Sequence, residues 1–186
     1  MSGVNVGQGE DVRYCRPEPT TFYREQTTGL GAAVFTNIPD RGLTTVITIG
    51  LSDHVLTQSK SGRGVRQELL VCVRSEFVFL PWHEILFGVA ARLMRSGAAL
   101  LRGDVIGPAG LLFPESKECH STALLASVPA FFDGGFLEIV STEPVSVMVE
   151  LLPITTEEAE SIDKCGWWEF CAKIDNGDVD ILDLRR

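Results

Sequence analysis

The sequence lacks any run of about 18 consecutive apolar residues, which excludes a membrane-spanning helix. Its opening stretch, MSGVNVGQGEDVRYCRPEP, lacks an apolar segment of signal-peptide length, so a cytoplasmic protein is expected. It also lacks a disulfide framework. The five cysteines (Cys15, Cys72, Cys119, Cys165 and Cys171) are odd in number, widely spread and include no CxxC pair. They read as free, mostly buried thiols in a reducing compartment. With three dispersed histidines and no paired cysteines, neither a metal site nor a cofactor is expected. Internal repeats and low-complexity tracts are absent. Positive charge is scarce: 16 Lys and Arg stand against 25 Asp and Glu, a net charge of −9.

That shortage has a direction. Residues 150–186 hold ten acids and four bases, whereas residues 1–149 hold fifteen acids and twelve bases. An acidic chain repels phosphate backbones, which argues against a nucleic-acid partner. The same acidity keeps a protein soluble, and it steers association with a basic protein.

What is present is an ordinary globular composition: 186 residues, 45% hydrophobic and 22% charged. That length suits a single domain with a core of its own. Residues 1–22 read as a loosely ordered N-terminal arm, which Tyr14, Phe22 and Tyr23 can tie to the core, and residues 23–186 as the domain. Strands are expected at 32–37, 43–51, 65–73, 136–141 and 145–152, from β-branched or alternating runs bounded by turn residues. The run 121–130 suits a buried strand, with a helix over STALLAS as the alternative. The stretch 53–64 reads as a polar hairpin loop, and 178–184 as a short extended piece.

Helix signals are sharper. Pro81 opens a stripe of Trp82, Ile85, Leu86, Val89, Ala90 and Leu93 at helical spacing, and Gly97 is placed to end it. Thr155 and Glu158 fit a capping box, with Ile154 placed to staple onto Ala159 and Gly166 to stop the helix. A further helix is expected over 166–175. Strands, helix, strands, helices, without regular βαβ alternation, give an α+β fold with a mainly antiparallel central sheet flanked by helices.

The candidate chemistry is thin. Gly50-Leu51-Ser52-Asp53-His54 holds Ser, Asp and His together, but His54 stands where a nucleophile elbow needs glycine. Cys119-His120 places the pair side by side, where adjacent side chains rarely converge. Ser59-Lys60-Ser61-Gly62-Arg63-Gly64 has its lysine before the glycines, the reverse of a phosphate loop. No residue is therefore assigned to catalysis, and a small Ser or Cys hydrolase is the weakest of the readings. Glu68 sits in an apolar strand and must face water or be paired, Arg66 being one available partner. The adjacent Trp167 and Trp168 cannot both face the core; packing is the first reading of the pair, and an indole left at the domain edge is free to anchor a partner. Trp167, Trp168, Glu157, Glu158, Glu160 and Asp163 are the expected partner-binding residues.

The ordered segments resemble the suppressor of fused-like domain family. The likeness rests on Thr48-Ile49-Gly50-Leu51-Ser52, on Arg66-Gln67-Glu68-Leu69-Leu70 followed by the Pro81 helix, and on Gly103-Asp104-Val105-Ile106. It continues through Leu151-Leu152-Pro153-Ile154-Thr155-Thr156-Glu157-Glu158 with Gly166, and ends on Asp180-Ile181-Leu182-Asp183-Leu184-Arg185-Arg186, covering about residues 23–186. The family offers no catalytic residues to carry over, so Gly50, Leu51, Ser52, Gln67, Glu68, Leu69, Pro153, Ile154 and Gly166 are read as structural. The resemblance implies a protein-binding domain. Its animal member restrains a transcription factor by gripping an extended peptide, and its compact bacterial members resemble immunity proteins against secreted toxins. At this length the chain is similar to the bacterial kind. The implied partner is a protein, such as a basic toxin domain, rather than nucleic acid or membrane. A peptide-binding scaffold that uses a sheet edge is the alternative.

Overall fold

The computed structural model describes residues 18–132, 138–139 and 142–186. The expected arm is described only from residue 18, so Tyr14 and Cys15 lie outside the described residues, as does most of the expected strand 136–141.

Among the described residues nine strands form one sheet: β1 (Thr21–Arg24), β2 (Gly31–Thr36), β3 (Leu43–Ile49), β4 (Leu56–Thr57), β5 (Gly64–Arg74), β6 (Val105–Ile106), β7 (Ala123–Ser127), β8 (Glu138–Ile139) and β9 (Ser146–Ile154). Their order is β1-β2-β3-β5-β9-β7-β6, with β4 on β5 and β8 on β9. Among the described residues three α-helices accompany them: α1 (Trp82–Ser96), α2 (Thr156–Cys165) and α3 (Trp167–Asp175). The expected α+β class is present, but the sheet is mixed rather than mainly antiparallel. Its central pair, β5 and β9, runs parallel, from Arg66 opposite Ser146 to Leu70 opposite Glu150, while the flanking pairs are antiparallel. A parallel pair needs a long crossover, here residues 75–145 with α1 inside it, and no local signal announces that.

Alternation along the central strands divides the core. Leu69 and Val71 of β5, Leu151 of β9 and Leu124 of β7 meet α1 through Trp82, Leu86 and Leu93. The neighbouring Leu152, Ile154 and Leu125 turn the other way, onto Ala159 and Ile162 of α2 and Phe170 of α3. The helices therefore cover opposite faces of the sheet. Within STALLAS, Ala123–Ser127 is strand and not helix, because β7 pairs with both β9 and β6. Residues 58–63 close a tight hairpin between β4 and β5, with the Gln58 N–H donating to the Arg63 carbonyl at 2.9 Å. The stretch 178–184 is not extended. Asp180 and Asp183 accept the N–H groups of Leu182 and Arg185 at 3.1 Å each, local turns that bend the chain away from strand geometry.

One buried group is left half-satisfied. Glu150 of β9 is 1% exposed. Its Oε2 accepts the Ala130 N–H at 3.1 Å, and Oε1 has no hydrogen-bond partner among the described residues. Burial pushes its carboxyl from the ordinary 4.5 up to about 7, against a smaller downward pull from the Ala130 N–H. The folded state thus binds a proton that the unfolded chain has released. The associated stability is full below about pH 4.5 and is lost as pH rises to and through about 7. Replacement by Gln, which cannot ionise, removes this slope. Between pH 5 and pH 8 the stability difference should move in favour of Glu150→Gln by on the order of 3 kcal/mol, measured by urea unfolding at each pH. A pH-independent difference would refute this assignment.

Candidate functional site

The sequence segments Thr48–Ser52 and Arg66–Leu69 meet at one joint. After β3, Gly50 turns with φ at 99°, a left-handed conformation that disfavours any side chain, and starts the 3-10 turn Leu51–Asp53. This turn folds back onto β5 and onto Glu68, which is 7% exposed. Thr48 Oγ1 donates to Glu68 Oε2 at 2.6 Å. Gly50 N–H, Ser52 N–H and Ser52 Oγ donate to Oε1 at 2.9, 3.0 and 2.7 Å. Glu68 thus neither faces water nor pairs with Arg66, as its place in the strand suggested. Neutral donors from one neighbouring turn replace its hydration, and Arg66 instead donates to the Ser52 carbonyl at 2.7 Å. On the opposite face, the Gln67 side chain exchanges two hydrogen bonds with the Leu100 backbone, at 2.8 and 3.0 Å. Leu51 and Leu69, both 0% exposed, fill the core beneath. This joint fixes structure. The Ser52 hydroxyl is spent on Glu68, and the alternative nucleophile Cys119 is 0% exposed, out of a substrate's reach.

The exposed chemistry lies further along the sheet, where α2 meets α3. The capping box forms as expected: Glu158 N–H donates to Thr155 Oγ1 at 3.2 Å, and Thr155 N–H to Glu158 Oε2 at 2.8 Å. Arg186 adds bonds to the same carboxylate at 2.8 and 3.1 Å and to the Pro153 carbonyl at 2.7 Å. Glu158 is thereby turned inward, whereas Glu157, Glu160 and Asp163 stay exposed. Glu160 makes a 3.3 Å pair with Lys164 in which both side chains are largely solvated, a weak interaction.

Gly166 ends α2 and α3 begins at Trp167, so the two indoles emerge at the corner. They stack with centroids 3.8 Å apart at 26°. Trp167 packs against the second core and against Gly103, where a Cβ would come within 2.4 Å of its ring. Trp168 is 67% exposed. The Arg102 guanidinium lies 4.4 Å from the Trp167 centroid and 5.8 Å from that of Trp168, a cation–π contact that holds the pair in place. Beside them a depression of about 590 Å³ is lined by Asp104, Glu160 and Asp163, with Trp167 as a wall and no basic side chain. Asp104 and Gly103 complete this corner. They belonged to the sequence likeness but not to the expected partner surface, because only the pairing of β6 with β7 brings them beside α2 and α3.

An α+β domain built on a mixed sheet of nine described strands, with helices on both faces and a stacked tryptophan pair beside acidic groups at one helical corner, defines the structural class. A family model described as suppressor of fused protein (SUFU) matches residues 26–186, and the chain belongs to that family. No curated protein sequence matches it. Among solved structures, it is similar to a suppressor of fused homolog from Neisseria gonorrhoeae, with a TM-score of 0.69 and 15% identity over 89% of this chain and 85% of that one. It is also similar to a chain of the Sufu–Fu complex, at TM-score 0.54 and 14% identity over 73% of this chain and 64% of that one. Drosophila Suppressor of Fused gives TM-score 0.52 and 16% identity over 71% of this chain but only 35% of its own length. These identities establish a shared fold. Among the described residues no helix is long and apolar enough to cross a membrane.

Two outcomes follow from the geometry. Glu68→Ala strands buried donors and should cost about 3 kcal/mol or more, while Ser52→Ala, which removes one donor of several, should cost about 1–2 kcal/mol, both by urea unfolding. Equal, small losses would refute the role given to the carboxylate. Gly103→Ala should displace Trp167 and shift the tryptophan emission, because the clash is with a ring already pinned by Arg102 and the core. An unchanged spectrum and stability would contradict that packing.

Proposed function

We propose that this protein is a non-catalytic, cytoplasmic protein-binding domain of the immunity type, which neutralises a basic partner toxin by covering its working surface. The observation that carries the reading is Trp168: a large apolar side chain, 67% exposed, beside a depression lined by three acids and no base. An exposed tryptophan supplies the apolar anchor of an interface, and the surrounding acids select a cationic partner and speed its arrival. Family membership supports the reading, and one fold relative is solved in a complex with Fu. On this basis the partner-binding residues are Trp168, Glu157, Glu160 and Asp163, joined by Asp104. Trp167 serves as support, and Glu158 is withdrawn into the capping box.

A second reading has its own observation. All four residues of the edge strand β1 are exposed, with Phe22 at 51% and Tyr23 at 37%. Tyr23 stacks on His83 of α1 with centroids 3.7 Å apart, which fixes the strand and leaves it able to template a peptide added at the edge.

The test is titration with the product of the neighbouring gene, which this reading expects to carry a basic toxic domain, followed by calorimetry. Trp168→Ala should weaken binding by about 30-fold or more with little change in stability, and Glu160→Lys with Asp163→Lys should flatten the salt dependence of association. Full affinity in both variants would overturn the assigned surface. Loss of affinity only on disrupting β1 would move the site to the sheet edge.

A further inference from the structure

Two buried carboxylates share one face of the sheet, and the fold provides fully for only one of them. Glu68 meets four neutral donors from a single fixed turn. Glu150 meets the Ala130 N–H on Oε2 at 3.1 Å, and its Oε1 has no hydrogen-bond partner among the described residues. Glu150 is also the more deeply buried, 1% exposed against 7% for Glu68. A carboxylate anion held in this way lacks most of the donors that would replace its water. The closed fold therefore accepts the neutral acid and disfavours the charge.

The groups around Glu150 offer no other compensation. On β5, Leu70 stands opposite it in the register and Cys72 lies diagonal to it, both buried. The Cys72 thiol is raised by burial, then by the Glu150 charge, and further by Asp40 from the loop between β2 and β3. Glu68, further back on β5, spends its oxygens on the turn at Gly50. On β7 the register partner is Ser127. Further along the face, α2 and α3 meet Leu152 and Ile154 through Ala159, Ile162 and Phe170, all apolar. Segment 128–132, Val-Pro-Ala-Phe-Phe, has no ionisable side chain. None of these groups is a cation. The titration agrees: burial raises the carboxyl to about 7, and the Ala130 N–H pulls more weakly the other way.

The position of the donor gives this arrangement its direction. Ala130 belongs to no strand. β7 ends at Ser127, opposite Glu150 itself, and Pro129 has no N–H to offer a ladder. Pro129 is buried, whereas Val128, Ala130 and Phe131 are exposed. On its other side Glu150 is walled by β5, which is paired to both β3 and β9. Water reaches the carboxylate at least cost where 128–132 lifts, because no strand pairing has to break.

We propose that segment 128–132 is a strap latched by the proton on Glu150, seated on β9 while the carboxyl is neutral and lifted to admit water when it ionises. Seated, the carboxyl titrates at about 7; lifted and hydrated, it returns to the ordinary 4.5. Opening is therefore rarest below about pH 4.5, grows as pH rises to about 7 and levels off above it. The strap is independent of the partner proposed for Trp168.

The experiment is amide hydrogen exchange on the intact protein, followed residue by residue by NMR between pH 5 and pH 7, with and without sub-denaturing urea. Protection of the Ala130 N–H, corrected for the intrinsic exchange rate, should fall by about 40-fold from pH 5 to pH 7. The fall should be the same in urea, the mark of a local opening that exposes little surface. The Leu151 N–H, in the centre of the sheet, should exchange only by a urea-sensitive route. In Glu150→Gln the protection of Ala130 should not change with pH. Three results would each overturn the proposal. One is Ala130 protection in the wild type that is independent of pH. Another is a pH dependence that survives in Glu150→Gln. The third is exchange of Ala130 and Leu151 together with one urea dependence, since the proton would then leave only when the whole domain unfolds.

Discussion

A carboxylate withdrawn from water costs several kcal/mol unless donors replace its lost hydration, and in β5 that replacement comes wholly from the stretch Thr48 to Ser52. Glu68 therefore constrains more than its own position. It sets where the ladder between β3 and β5 stops, because Thr48 spends its hydroxyl on the carboxylate and accepts the Leu69 N–H on that oxygen instead of continuing the ladder. It requires the left-handed turn at Gly50, because two N–H groups of one short turn must converge on one oxygen. With β5 fixed in this way, β9 can lie parallel beside it and carry both core faces, Leu151 toward α1 and Leu152 toward α2 and α3.

Glu150 shows the same problem solved only in part. By register it lies on the same face of the sheet as Glu68, opposite Leu70. Glu68 receives four donors, whereas Glu150 receives the single N–H of Ala130. The consequence appears in its titration: burial dominates and holds the proton on. It also acts on its neighbour Cys72, whose thiol is pushed up to about 12, chiefly by burial and then by the Glu150 charge. A cysteine so far from its thiolate is a packing residue.

The legible parts of the sequence were those whose cause is local. The α1 stripe, the capping box at Thr155 and the stop at Gly166 each depend on residues within a turn or two, and each appears with its expected partners. The parallel β5–β9 pair was illegible because its crossover spans some seventy residues and leaves no signature in either strand. Glu68 was legible as an anomaly but not as a solution: its donors come from 16 to 20 positions away, across a strand pairing that had first to be known. The stretch 178–184 misled through its alternating Asp and apolar residues, which here serve aspartate turns instead of a strand. The corner was half legible. Adjacent tryptophans and a run of acids stand in the sequence, but Asp104 and Gly103 join them only through the sheet.

Two glycines draw the line between what the fold explains and what it does not. Gly103 is demanded from within: the Trp167 ring occupies the space its side chain would need. Gly88 faces open space on a helix that would be stronger without it. Trp168 contrasts with Trp167 in the same sense, one stacked outward into water and the other packed on the core. Glu68 finds four donors inside the fold, whereas the outward face of the Trp168 ring is left to water and the open space over Gly88 is met by nothing within 4 Å.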